Sequence, residues 1–132
     1  MEQSKFIKLM TMLKIAYPYY FKEMTKEESV AFLQLYSSYL KEYDYTVALK
    51  AIQKIIIDSN FMPTISEVVK ECDRQQRIYY KNKIDLMYKE KYFTDEEYGK
   101  CLTWLFEERP LIPGWLKEEV LNYSETKQIE NN

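Results

Sequence analysis

Three features of the sequence predict an all-α protein. Its 132 residues include only two glycines and four prolines, too little turn chemistry for a series of hairpins. Apolar residues recur at intervals of three and four along most of the chain, which is the spacing of one helix face. Three Thr-x-x-Glu phrases, starting at Thr25, Thr64 and Thr94, read as capping boxes, in which the threonine and glutamate side chains each satisfy an unpaired amide at a helix start. The expected architecture is a compact N-terminal bundle of about four helices in residues 1–72, the fourth helix extended as a stalk over 73–93. Two short helices follow in 94–123, and residues 124–132 are expected to form a disordered tail.

The first helix is predicted from about Ser4 to Tyr17, with Phe6, Ile7, Leu9, Met10, Leu13 and Ala16 on one face and Pro18 as its stop. The box at Thr25 and Glu28 opens a second, ending near Lys41 and carrying Val30, Leu33, Tyr36 and Leu40 on one face. Asp44 is placed to cap a third through Asp58, with Val47, Ala48, Ala51, Ile52 and Ile55 inward. Pro63 halts that segment, and the Thr64/Glu67 box starts a fourth at Ile65, led by Ile65, Val68, Val69 and Cys72. The polar run Asp73–Arg77 leaves more than one turn with nothing to bury, so the compact unit is expected to end there. Beyond it Tyr80, Ile84, Met87 and Tyr88 return to one face. The box at Thr94 and Glu97 opens a helix holding Tyr98, Cys101, Leu102, Leu105 and Phe106 and closed by Pro110. Pro113 suits the first turn of a last helix carrying Trp115, Leu116, Val120 and Tyr123.

Composition removes several classes of function. Apolar residues are 46% and charged residues 30%, values of a folding chain. With no histidine in the sequence, Ser-His and Cys-His nucleophile schemes are excluded. Cys72 and Cys101 have no metal-ligand spacing and are expected buried and reduced. There is no G-x-x-x-x-G-K-[ST] loop for phosphates. The acidic neighbours Glu96-Glu97, Glu107-Glu108 and Glu118-Glu119 point about 100° apart on a helix and cannot act as a catalytic dyad. A non-enzymatic protein without cofactor or metal is therefore expected. With no long apolar run and no secretory signal, a cytoplasmic location is expected, the host cytoplasm if the protein is phage-encoded.

Residues 9–71 carry a further pattern: LMTMLKIAYPYYF, a capped helix, then YDYTVALKAIQKIIIDSNFMPTISEV. A helix ending in Tyr17-Pro18, another opening after Asp44-Tyr45-Thr46-Val47, and the phrase Phe61-Met62-Pro63-Thr64-Ile65-Ser66-Glu67 follow one another at set spacing. In this order the chain resembles the small helicase loader/inhibitor proteins of phages and mobile elements in Gram-positive bacteria. The resemblance implies a compact N-terminal helical domain and a protein that binds the hexameric replicative helicase, holds it inactive and passes it to an origin-bound initiator. In that family the C-terminal part is largely unstructured alone and orders on the helicase. Here, by contrast, residues 94–123 hold both tryptophans and read as foldable.

Partner contact is expected from rings outside the compact unit: Tyr79, Tyr80, Ile84, Met87 and Tyr88 on the stalk, with Trp104 and Trp115 nearby, docking as an amphipathic helix in an apolar groove. Two other readings of the same surface are inhibition of a host helicase or its loader without delivery, and nucleic-acid binding by the Tyr/Lys-rich stretch 78–93. Direct nucleic-acid binding is disfavoured by the net charge of −2, because phosphate attraction dominates such affinity. An exposed aromatic helix could equally pair with a second copy of the chain.

Overall fold

The computed structural model describes residues 1–107 and 112–130, the last two by backbone alone. Among the described residues there is no strand, and the helices are α1 (Gln3–Ala16), α2 (Pro18–Phe21), α3 (Lys26–Leu40), α4 (Tyr45–Asp58), α5 (Ile65–Lys89), α6 (Asp95–Phe106) and α7 (Gly114–Glu130). The all-α expectation holds. The chain divides into two compact units, Met1–Gln75 and Gln76–Asn132.

Local chemistry sets the helix starts. Thr25 and Thr94 close full capping boxes, each hydroxyl accepting from the third helical amide while Glu28 or Glu97 accepts from the cap amide. The third box closes differently. Thr64 accepts from the Glu67 amide at 3.2 Å, but the Glu67 carboxylate takes the Thr64 hydroxyl. Asp44 stands at the start of α4 with extended backbone and makes no side-chain capping bond. α2 was not legible from periodicity: Pro18 both ends α1 and, with its fixed φ, opens this single turn. At the other end of α5, Lys91 adopts φ 64°. The Tyr92 amide reaches the Met87 carbonyl at 2.8 Å and the Lys91 amide reaches Tyr88 at 3.0 Å, so the last carbonyls are satisfied by a left-handed turn.

In the first unit the buried side chains include most of the expected stripes: Phe6, Leu9, Met10 and Leu13 of α1, Tyr36 and Leu40 of α3, Val47, Ala48, Ala51 and Ile52 of α4, and Val68 and Cys72 of α5; Ile7 and Val30, expected on those faces, are exposed, and Phe32, which was not expected, is buried in α3. Leu33, expected inward, is only half-buried. α2 contributes Phe21, edge-on to Phe32 at 5.1 Å, and Phe32 stacks on Tyr36 at 4.3 Å. Burial pushes the Tyr36 phenol up to about 12.

The second unit corrects the expectation of a projecting stalk. Tyr80, Ile84 and Met87 of α5 pack with Phe93, with Cys101 and Trp104 of α6, and with Leu116, Val120 and Tyr123 of α7 in one closed core. The physical reason is that α6 and α7 present matching stripes at the same spacing, so the apolar face of α5 has partners within the chain. α7 also continues past Ser124, where a disordered tail was expected. Lys127 of this last stretch pairs with Glu90 at 2.9 Å, and the Thr126 hydroxyl bonds the Asn122 carbonyl. Pro113 lies just before α7, its carbonyl accepting from Leu116 and Lys117. Pro110, expected to close α6, and Asn131-Asn132 of the expected tail lie outside the described residues.

Both cysteines are free and buried. Burial, then the neighbouring Asp73 and Glu71 charges, push Cys72 up to about 12, and burial raises Cys101 to about 11. Neither is a thiolate near neutral pH, so neither is a ready nucleophile.

Ile84 is fully buried, so Ile84→Ala should cost about 2–5 kcal/mol of second-unit stability. Urea denaturation followed by tryptophan fluorescence reads this unit alone, because both tryptophans lie in it. A cost below about 1 kcal/mol would mean the α5 stripe is not packed.

Candidate functional site

The seven residues expected at a partner surface separate by burial. Tyr80, Ile84, Met87 and Trp104 are interior, with Tyr80 and Trp104 edge-to-face at 5.9 Å. In this conformation they hold the second unit together and are not presented to a partner. Tyr79 is half-buried against that core. Tyr88 is 38% and Trp115 45% exposed, and these two remain available. The helical period could not tell which face of α5 was covered by the chain itself and which was left open.

Around the second core runs a belt of tyrosine–carboxylate pairs. The Tyr98 hydroxyl donates to Asp85 at 2.7 Å, and Lys81 donates to the same carboxylate. Burial alone would raise Asp85, but the bonds from Lys81 and Tyr98 outweigh it and hold the carboxyl below its ordinary value. Tyr88 stacks on Tyr98 at 4.1 Å and donates to Asp95 at 2.5 Å. Glu90 accepts from Tyr123 at 2.6 Å and pairs with Lys127, which lowers its pKa, and Glu97 is lowered by the Thr94 amide and hydroxyl of its capping box. The basic run of α5 is thus largely engaged: Arg74 with Glu71, Arg77 with the Glu107 carbonyl, Lys81 with Asp85, and Lys83 over the Tyr79 ring.

Three surface hollows carry apolar walls. One in the second unit, 330 Å³, is lined by Ile78, Leu102, Leu105 and Phe106 with Arg77, Lys81 and Asn82. A smaller one holds Trp115 and Phe93 beside Glu97, Lys100 and Glu119. The largest of the three, 540 Å³, belongs to the first unit and lies between Ala16–Tyr20 and Asn60–Met62. Sequence analysis did not single out this groove, although its signal was present as two adjacent tyrosines after Pro18 and a phenylalanine between helices. Among the described residues no cluster of three or more His, Cys, Asp or Glu could hold a metal ion, and no helix is long and apolar enough to cross a membrane.

A small all-α protein whose surface chemistry is aromatic grooves and phenol–carboxylate pairs has the means to grip a macromolecule. The family model for the N-terminal domain of the phage SPP1 helicase loader/inhibitor matches residues 1–69. The chain belongs to this family of phage helicase loader/inhibitor proteins, whose function is exercised on a replicative helicase in DNA replication. No curated protein and no solved structure matches it.

The lowered carboxylates carry a pH dependence. A carboxylate depressed in the folded state contributes stability that is full above its unfolded value, about 3.9 to 4.3, and lost as pH falls through the folded value. Melting of the second unit should therefore be flat from about pH 7 to 5 and fall below about pH 4. Asp85→Asn should lower the melting temperature at neutral pH and reduce that acid-side fall. An acid-side fall as steep as wild type would remove Asp85 from the account.

Proposed function

We propose that this protein is a non-enzymatic adaptor that binds a hexameric replicative helicase and controls its loading, acting in the cytoplasm of the cell where that helicase works. Membership of the loader/inhibitor family over residues 1–69 carries this reading. Any nucleotide dependence of the complex comes from the helicase, because this chain has no phosphate-cradling loop. Transfer of the helicase to an origin-bound initiator is part of the proposal, and restraint of a host helicase or its loader is its alternative form.

On the second unit the proposed contact uses Trp115 and Tyr88, the two rings of the expected set that stand substantially exposed. Tyrosine and tryptophan supply large contact areas with few torsions to freeze, which is why they dominate binding energy at interfaces. The engagement of Arg77, Lys81 and Lys83 by local partners supports a protein rather than a nucleic-acid ligand. Phosphate-driven binding would weaken steeply with salt, whereas docking of rings would not.

A purified replicative helicase should retain the intact chain in a pull-down, tested with and without nucleotide. No retention under either condition would remove the proposal. Trp115→Ala should weaken the complex by about 2 kcal/mol without changing the far-ultraviolet helical signal. Unchanged affinity would move the contact away from Trp115.

A further inference from the structure

The hollow beside Trp115 joins an exposed ring to opposed charges. Glu97 and Lys100 sit one turn apart on α6, and Trp115 and Glu119 one turn apart on α7, so each pair shares a helix face. Phe93, buried in the second core, completes the lining. Both carboxylates are held in place. Glu97 accepts from the Thr94 amide at 3.0 Å in its capping box, and Glu119 is bonded by the Tyr92 hydroxyl. A site whose walls are fixed this way loses little conformational freedom when a guest enters.

The two carboxylates make the locality negative. Burial is the first cause of the rise of the Cys101 thiol to about 11, and the charges of Glu97 and Glu119 add to it. The Tyr92 phenol is raised by burial first and then by the same two groups. Against them the lining sets one cation, Lys100. Lys100 acts on Glu97 less than the Thr94 bonds do, and among the described residues neither Glu97 nor Glu119 is in an ion pair. Nor does a cation of the described residues stand over the Trp115 ring.

Ring and charge together select the guest. An aliphatic group would displace water from the carboxylates and offer no hydrogen bond in return, and an anion would be repelled. A cation with a flat face meets both demands, because the ring attracts it through its quadrupole while the carboxylates take its N–H groups. The guanidinium has this shape, stays charged and is weakly hydrated, whereas a lysine ammonium is compact and strongly hydrated. We infer that the hollow lined by Trp115, Glu97 and Glu119 receives an arginine side chain of the helicase, its guanidinium on the indole and its N–H groups on the carboxylates. This inference rests on the proposed helicase-binding function and gives the Trp115 contact its chemistry.

Two measurements test it separately. In the first the full chain is alone, and proton–nitrogen NMR follows the Trp115 indole during titration with N-acetyl-arginine amide or with N-acetyl-citrulline amide, its uncharged isostere. The Trp115 signal should move with the arginine derivative only, and Glu119→Gln should abolish the response, while the buried Trp104 indole serves as reference. Glutamine still accepts from Tyr92, so the melting temperature of this variant should match wild type. An equal response to the two compounds, or none to either, would overturn the inference. The second measurement reads affinity for a purified replicative helicase by calorimetry. Glu119→Gln should weaken binding about tenfold, and Lys100→Gln, which removes the competing cation, should tighten it about threefold. Affinities within about twofold of wild type for both variants, or weakened in both, would overturn the inference. So would a wild-type dimer that Glu119→Gln turns into a monomer in light scattering, since the guest would then be a second copy. A wild-type chain that responds to the arginine derivative but binds no helicase would instead overturn the proposed function, and with it the helicase as the source of the arginine.

Discussion

The structure depends on one helix having to be covered twice. α5 runs unbroken from Ile65 to Lys89, and its early residues Val68 and Cys72 belong to the first core while Tyr80, Ile84 and Met87 belong to the second. A helix of this length gains little from intrinsic propensity, so its stability comes from the faces it buries. Between these two apolar stretches the run Asp73 to Arg77 supplies polar side chains where the chain passes from one unit to the other. Removing the cover from the second stripe would leave three large side chains facing water, each worth about 1.5–3 kcal/mol when buried. α6 and α7 are the means by which that cost is avoided.

This constraint changes what the aromatic residues mean. The sequence has 13 tyrosines, and an abundance of rings invites an interface reading. Much of that abundance is structural. Tyr17 pins the α4–α5 connection, Tyr43 donates to Asp73, and Tyr98, Tyr88 and Tyr123 each hold a carboxylate at the rim of the second unit. A phenol can bury its ring and keep its hydroxyl bonded at the edge of a core. What remains for a partner is a smaller set whose rings stand out from the surface, among them Tyr19 and Phe61 in one unit and Tyr88 and Trp115 in the other.

Helix class, helix order and most starts were legible because they rest on short-range rules. Thr25 and Thr94 cap as their spacing implies, and α1, α3 and α4 bury most of the stripes their periodicity marks, Ile7 and Val30 excepted. The one-turn α2 was not legible, since so short a segment cannot show a period. The fate of Tyr80, Ile84, Met87 and Trp104 was not legible either. Periodicity establishes that a helix has an apolar face, but only tertiary packing decides whether that face meets another part of the same chain or a different molecule. For the same reason Tyr19, Tyr20 and Phe61 are visible locally only as apolar residues at helix ends, and that residues 16–20 and 60–62 form one groove is a matter of tertiary packing.

A loader/inhibitor family protein with closed cores and exposed rings is proposed to grip its helicase by those rings, not by the buried ones. Hydrogen exchange of the full chain with and without a replicative helicase tests this most directly. Slowed exchange around Trp115, with α5 and α6 still protected, is the outcome the account predicts. Exchange unchanged at every segment, or protection lost across α6 and α7 as the second core opens onto the helicase, would contradict it.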